Sequence, residues 1–180
     1  MAGDRSSAIL IAGTGSNSGK TTITLGLLAA LRNLGLAVQP FKCGPDFIDP
    51  GLHRLACGRV SRNLDLWMMG EARVRETFAA GAAGADIAVI EGVMGMFDGQ
   101  DSSSAVLAKA LGVPVVLILD VRSAAESVAA VLKGFETLLP EVAPVAVILN
   151  RVASPRHLEL VSGAIRKHCR AEILGHLPQS

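Results

Sequence analysis

The sequence predicts an α/β protein of three layers, with a mostly parallel central sheet covered by helices on both faces. Three observations carry this. Apolar strand-like runs alternate with helical patterns along the whole chain. The run Val113–Leu119 has no polar alternation, as suits a strand buried on both faces. The first apolar run passes through a glycine-rich turn directly into a helix.

The elements follow in order. Ala8–Ala12 reads as the first strand and Lys20–Leu34 as the first helix. Leu25, Leu28 and Leu31 recur there at helical spacing, and Gly35 sits where a helix-ending glycine belongs. Further strands are expected at Ala37–Lys42, Asp86–Glu91, Val113–Asp120, Val145–Asn150 and Glu172–Gly175. Further helices are expected at Glu71–Ala80, Ser104–Leu111, Ala124–Leu138 and Pro155–His168. The chain runs to 180 residues, which suits one domain with a real core. It shows no internal repeat and no long linker.

Composition narrows the function. Half the residues are hydrophobic and 18% are charged, a globular balance rather than a disordered one. Mean hydropathy is +0.44, yet the longest apolar stretches are far too short to span a bilayer. Met1–Arg5 leads straight into a strand too short for the apolar stretch of a secretion signal, so a cytoplasmic protein is expected. A net charge of +1 offers no basic field for nucleic acid. Three cysteines, Cys43, Cys57 and Cys169, show no paired spacing and read as free thiols.

The strongest local signal is the loop Gly13–Thr22, placed between strand and helix. Glycine lets backbone N–H groups turn toward phosphate oxygens, and the helix start adds its positive dipole end. Gly15, Ser16, Asn17, Ser18, Gly19, Lys20, Thr21 and Thr22 are therefore expected to hold ATP. Lys20 would bridge the β- and γ-phosphates, and the Thr21 hydroxyl would ligate Mg²⁺. The usual motif puts its first glycine at position 14; here that residue is Thr14 and the glycine is displaced to Gly13. The fold expected is thus that of the P-loop NTPases.

Sites of open parallel sheets lie at the C-terminal strand ends, where several charged residues fall. Glu91 ends the third expected strand, aimed at the loop, and is a candidate Mg²⁺ ligand with Thr21 and Asp46. Lys42 ends the second strand and could neutralise a phosphoryl group in flight. Asp46, Asp49 and Asp98 complete the catalytic candidates, although Pro45-Asp46, Asp49-Pro50 and Asp98-Gly99 are equally good turn dipeptides. Asn150, at the fifth strand end, either reads a base edge or caps the following turn. Phe47, Trp67 and Phe97 fall in or near loops, and core packing is the expectation for each over covering a flat ligand.

Four blocks together resemble the N-terminal synthetase domain of the cobyrinate a,c-diamide synthases, glutamine-dependent amidoligases related to dethiobiotin synthetase. They are the Gly13–Thr22 loop, Lys42–Pro50 followed by His53, Asn63–Gly70, and Glu91–Gly99. The resemblance covers essentially the whole chain. It implies phosphorylation by ATP of the c and a acetate groups of a corrinoid tetrapyrrole, then displacement of phosphate by ammonia. It implies that Asp46, Asp49, Glu91 and Asp98 handle metal and substrate, with Phe47 and Ile48 facing the ring. It also implies a C-terminal glutaminase domain as the source of ammonia. None of the three cysteines stands in a strand–elbow–helix context, so residues 1–180 read as the synthetase domain alone, with the glutaminase domain absent. A homodimer is compatible with this reading.

Alternatives stay open on sequence. They include nickel-sirohydrochlorin a,c-diamide synthase, cobyric acid synthase and dethiobiotin synthetase. From another class comes a partitioning-type ATPase switch. Such switches usually carry an extra lysine early in the loop, where this chain has Ser16, Asn17 and Ser18.

Overall fold

The structure, a computed structural model, describes residues 7–179. Met1–Arg5, read above as the lead-in to the first strand, lie outside the described residues. The elements are β1 (Ser7–Gly13), α1 (Lys20–Asn33), β2 (Val38–Cys43), α2 (Asp49–Cys57), β3 (Arg62–Leu64), α3 (Leu66–Ala82) and β4 (Ile87–Glu91). They continue with α4 (Ser104–Leu111), β5 (Val115–Asp120), α5 (Val128–Leu138), β6 (Ala146–Val152), α6 (Pro155–His168) and β7 (Glu172–Pro178). The strands form one sheet in the order β3-β2-β4-β1-β5-β6-β7, and every neighbouring pair is parallel.

Strand alternation sorts the core onto two faces. Ile11, Val38, Val89, Val116 and Ile118 pack with Ile23 and Leu28 of α1 and Cys57 of α2. Leu10, Ala12, Phe41, Ile90, Leu117 and Leu119 pack with residues of α3, α4, α5 and α6. The result is the three-layer arrangement expected, with α1 and α2 on one side.

Two elements were not expected. Asp49-Pro50 opens α2 rather than making a simple turn, because proline suits a helix's first turn. The helix closes at Gly58, whose φ of 81° favours glycine. β3 is a three-residue edge strand, too short to show periodicity. The helix expected from Glu71 begins earlier, at Leu66, behind an Asp65 cap, and is kinked at Gly70. α5 begins at Val128 rather than Ala124, and β6 and β7 run beyond their expected ends.

Core packing holds for Phe97, whose ring stacks on Phe135 with centroids 5.3 Å apart. It fails for the other two aromatics. Phe47 is 93% exposed in the bend before α2, and Trp67 is 81% exposed on the first turn of α3.

Candidate active site

The loop from β1 to α1 forms a phosphate cradle. Gly19 takes a φ of 97° and Asn17 one of 62°, and α1 starts with no side-chain cap. Its first-turn N–H groups are thus left for an anion. A Cβ on Gly13 would lie 2.2 Å from the Ser18 hydroxyl, so glycine at 13 lets the loop fold tightly back on itself. The Ser18 Oγ is buried with no hydrogen-bond partner among the described residues. Lys20 Nζ reaches back across the loop to the Gly15 carbonyl at 3.2 Å. Burial, then repulsion from Lys42, lowers the Lys20 pKa against the pull of Glu91, Asp98 and Asp49.

Asn150 and Arg151 brace the loop from β6. Asn150 Nδ2 donates to the Ser18 carbonyl at 2.9 Å, and a Cβ on Gly19 would meet that nitrogen at 2.2 Å. Arg151, with a φ of 63°, donates to the Asn17 carbonyl at 2.9 Å and pairs with Asp120. Asn17, Gly19, Lys20, Thr21, Thr22 and Arg151 line one open pocket. Arg151 escaped the sequence reading because its role depends on a backbone bulge at the end of β6.

The second half of the site follows from register. Lys42 on β2 stands opposite Glu91 on β4, on the face that α1 and α2 cover. Lys42 Nζ lies 3.3 Å from Glu91 Oε1, 3.1 Å from the Gly92 carbonyl and 2.7 Å from Asp49 Oδ2. From α1, the Thr21 hydroxyl donates to Glu91 Oε1 at 2.6 Å. From α2, His53 Nε2 lies 2.7 Å from Glu91 Oε2.

These contacts set the charges. Burial alone would raise the Glu91 carboxyl, but the His53 hydrogen bond, the Lys42 charge and the Thr21 hydroxyl outweigh it and hold it below its ordinary value. Burial opposes the Lys42 charge, but Glu91 and Asp49 together raise its pKa. A buried ion pair of this kind costs desolvation and is weak evidence for stability, so it points to chemistry.

Of the expected residues, Lys20, Thr21, Lys42, Asp49 and Glu91 converge. Asp46 and Asp98 have structural tasks as well. Asp46 Oδ1 accepts from the N–H groups of Ile48 at 2.7 Å and Asp49 at 3.0 Å, which holds the turn that leads into α2. Those N–H groups outweigh burial and lower its pKa. Asp98 Oδ2 accepts from Gly95 N–H at 2.9 Å and shapes the loop after β4. That loop is anchored to the phosphate cradle by Met96 N–H donating to the Gly13 carbonyl at 2.8 Å. His53 was not singled out as a site residue, since a lone histidine gives no signal until α2 is known to cover β4.

The donor set suits Mg²⁺. Thr21 and Glu91 offer hard oxygens side by side at the cradle. No group of three His, Cys, Asp or Glu among the described residues is placed to hold a metal ion by itself. A cation here would draw its other ligands from phosphate and water, the usual habit of Mg²⁺.

Residues 9–180 match the family described as CbiA, the CobQ/CobB/MinD/ParA nucleotide binding domain. The chain belongs to this family. Within the CobQ/CobB/MinD/ParA group it is similar to the cobyrinate a,c-diamide synthase of Priestia megaterium, 47% identical over 174 residues. That alignment covers 94% of this chain and 38% of the relative. It is also similar to the hydrogenobyrinate a,c-diamide synthase of Mycobacterium tuberculosis, 48% identical over 185 residues, covering 98% of this chain and 40% of the relative. The chain thus spans about two fifths of the length of these curated relatives. In fold, it resembles the hydrogenase maturation factor HypB of Archaeoglobus fulgidus, with a TM-score of 0.63 at 17% identity over 94% of this chain and 80% of that one. It also resembles the receptor FtsY of Elizabethkingia anophelis, with a TM-score of 0.67 at 15% identity over 94% of this chain and 59% of that one. In this chain the cradle lies at the C-terminal end of β1. No helix among the described residues is long and apolar enough to cross a membrane.

Proposed function

We propose that this chain is the ATP-binding synthetase domain of an a,c-diamide synthase acting on cobyrinic or hydrogenobyrinic acid. One observation carries the reading most. A hydroxyl, a carboxylate and a lysine (Thr21, Glu91 and Lys42) meet beside a phosphate cradle, on a chain nearly half identical to synthases of that name.

A carboxylate oxygen of the substrate attacks the γ-phosphorus, and ADP leaves. The carboxylate is a weak nucleophile, so catalysis is in-line positioning and neutralisation of charge. Lys20 and the first-turn N–H groups of α1 hold the phosphates. Thr21 and Glu91 would hold Mg²⁺, which screens the phosphate charge when bound. Lys42, charged and tethered by Asp49 and Glu91, faces the developing negative charge. Ammonia then attacks the acyl carbon of the phosphorylated carboxylate, and phosphate leaves. Water must be kept from that bond, and the loops Asp46–Ile48 and Gly92–Gly99 flank the site to do so.

Ammonia is supplied by a glutaminase domain. This chain's own thiols are unsuited to making it. Cys43 and Cys57 are buried and Cys169 is half-buried; burial pushes the Cys43 thiol up to about 11 and, with Glu136, raises that of Cys169. Free thiols fit a cytoplasmic protein.

The test is to mix the purified chain with Mg-ATP, ammonium and either corrinoid acid, then follow ADP release and product mass. Mono- and diamide formation dependent on ATP is expected. Nucleotide hydrolysis indifferent to corrinoid, with no corrinoid bound by calorimetry, would point to a switch ATPase and end the reading.

A further inference from the structure

The steps above leave unused a buried imidazole in contact with Glu91. His53 has no exposed surface, nor has Glu91, and Nε2 lies 2.7 Å from Oε2. Both Glu91 oxygens face donors, Oε1 the Thr21 hydroxyl and the Lys42 ammonium, so the carboxylate is placed to accept hydrogen bonds rather than donate them. Nε2 therefore carries a proton and donates it. On the other side of the ring, Nδ1 lies 3.0 Å from the Ser61 hydroxyl, so both nitrogens are fixed.

The two Glu91 oxygens are divided between different partners. Oε2 takes His53, while Oε1 takes the Thr21 hydroxyl and Lys42. His53 and Asp49 stand four residues apart on α2, hence on one face of the helix, and both reach the Lys42–Glu91 pair. The same helix follows the turn that Asp46 holds, next to the exposed Phe47 and Ile48.

We propose that His53 is a positioning residue: it fixes the Glu91 carboxylate so that Oε1 stays on the Thr21 side, ready for the cation, and ties that carboxylate to α2. The inference rests on the reading of Thr21 and Glu91 as the cation's protein ligands. Without His53, Oε2 loses its donor in a place water does not reach, and the carboxylate is free to turn away from Thr21. Outer hydrogen-bond partners of metal-holding groups typically cost about 10–100-fold in metal affinity or activity when removed.

The experiment measures ADP and ATP affinity of the purified chain by calorimetry, with Mg²⁺ and with EDTA. His53→Ala is expected to lose about tenfold or more of the affinity gained from Mg²⁺, with affinity in EDTA unchanged. His53→Gln, whose amide nitrogen falls near the Nε2 position, is expected to recover most of the Mg²⁺ response. His53→Asn, too short to reach Oε2, is expected to behave as His53→Ala and carries the test should the alanine variant not fold. In turnover with free ammonium, kcat falls and the KM for corrinoid acid holds. A wild-type Mg²⁺ response in the folded Ala and Asn variants, with only thermal stability lowered, overturns the inference and makes His53 a core histidine. A wild-type chain whose nucleotide affinity ignores Mg²⁺ overturns the cation reading and this inference with it.

Discussion

Lys42 and Glu91 are register partners on adjacent parallel strands, and their charged groups meet 3.3 Å apart with almost no exposure to water. The sheet itself sets that pairing, since β2 and β4 present residues 42 and 91 on the face that α1 and α2 cover. Two helices then add one hydroxyl, one carboxylate and one imidazole to a centre that the strands already fix.

Glu91→Gln tests this centre. The change keeps the shape, removes the charge, and leaves Lys42 relying on Asp49. Turnover with free ammonium should drop roughly a hundredfold or more, with a smaller loss in nucleotide binding. Stability should fall by up to about 3 kcal/mol, because a buried cation loses a partner. Denaturant titration checks the second effect. Wild-type turnover would reduce Glu91 to a structural role.

Lys20→Ala should abolish Mg-ATP binding with the fold intact. Among the described residues the ammonium group has one hydrogen bond to lose, to the Gly15 carbonyl. Calorimetry and far-UV circular dichroism together decide it. Unchanged nucleotide affinity would remove the phosphate assignment.

Gly19→Ala separates strain from crowding. The added Cβ meets Asn150 Nδ2 at 2.2 Å, and the φ of 97° disfavours any side chain. Nucleotide affinity should fall at least about tenfold. Adding Asn150→Ala removes the clash and leaves the strained φ, so binding should recover in part. Full recovery would show that crowding alone matters.

Much of this was legible in the sequence, and what was not has a physical cause. The cradle was readable because strand, glycines, lysine and helix must occur in that order to hold a phosphate. Lys42 and Glu91 were readable as strand ends, but their contact depends on strand order, which a linear sequence does not state. α2 was hidden because Asp49-Pro50 serves a turn as well as a helix start. With α2 unread, His53 had no place from which to reach Glu91. Phe47 and Trp67 were expected in the core, and the bend before α2 and the first turn of α3 leave them exposed instead.

Acid stability offers a test away from the site. Glu136 is buried on α5 and accepts the N–H groups of Arg170 at 2.5 Å and Ala171 at 2.9 Å. Burial would raise its pKa, but those donors and Lys133 outweigh it and lower it. A carboxyl lowered in the folded state binds fewer protons there than in the unfolded chain. Its contribution is therefore present above the ordinary glutamate value and is lost as pH falls through the folded one. Glu136→Gln should destabilise the chain at neutral pH and flatten the decline in stability below about pH 4.5. An unchanged acid slope in urea titrations would count against it.

The exposed pair Phe47 and Ile48 gives the test closest to substrate. Their side chains are 93% and 75% exposed, between Asp46 and the first turn of α2. The backbone around them is held from several sides, by Asp46 Oδ1 and by Asn63 Nδ2, which donates to the Asp46 carbonyl at 2.8 Å. Two large apolar side chains held in water beside a cluster of charges would suit the flat ring with anionic arms of the proposed substrate. Phe47→Ala and Ile48→Ala remove side chains that are mostly exposed, so stability should stay within about 0.5 kcal/mol of wild type. Nucleotide affinity should also hold, since the phosphates sit in the loop before α1. The expected change is a higher KM for corrinoid acid and a longer-lived monoamide in a time course read by mass spectrometry. If both variants kept the wild-type KM and product sequence, the segment would be a helix start and nothing more. The search for the ring would then move to Trp67 and Met68, exposed at the start of α3.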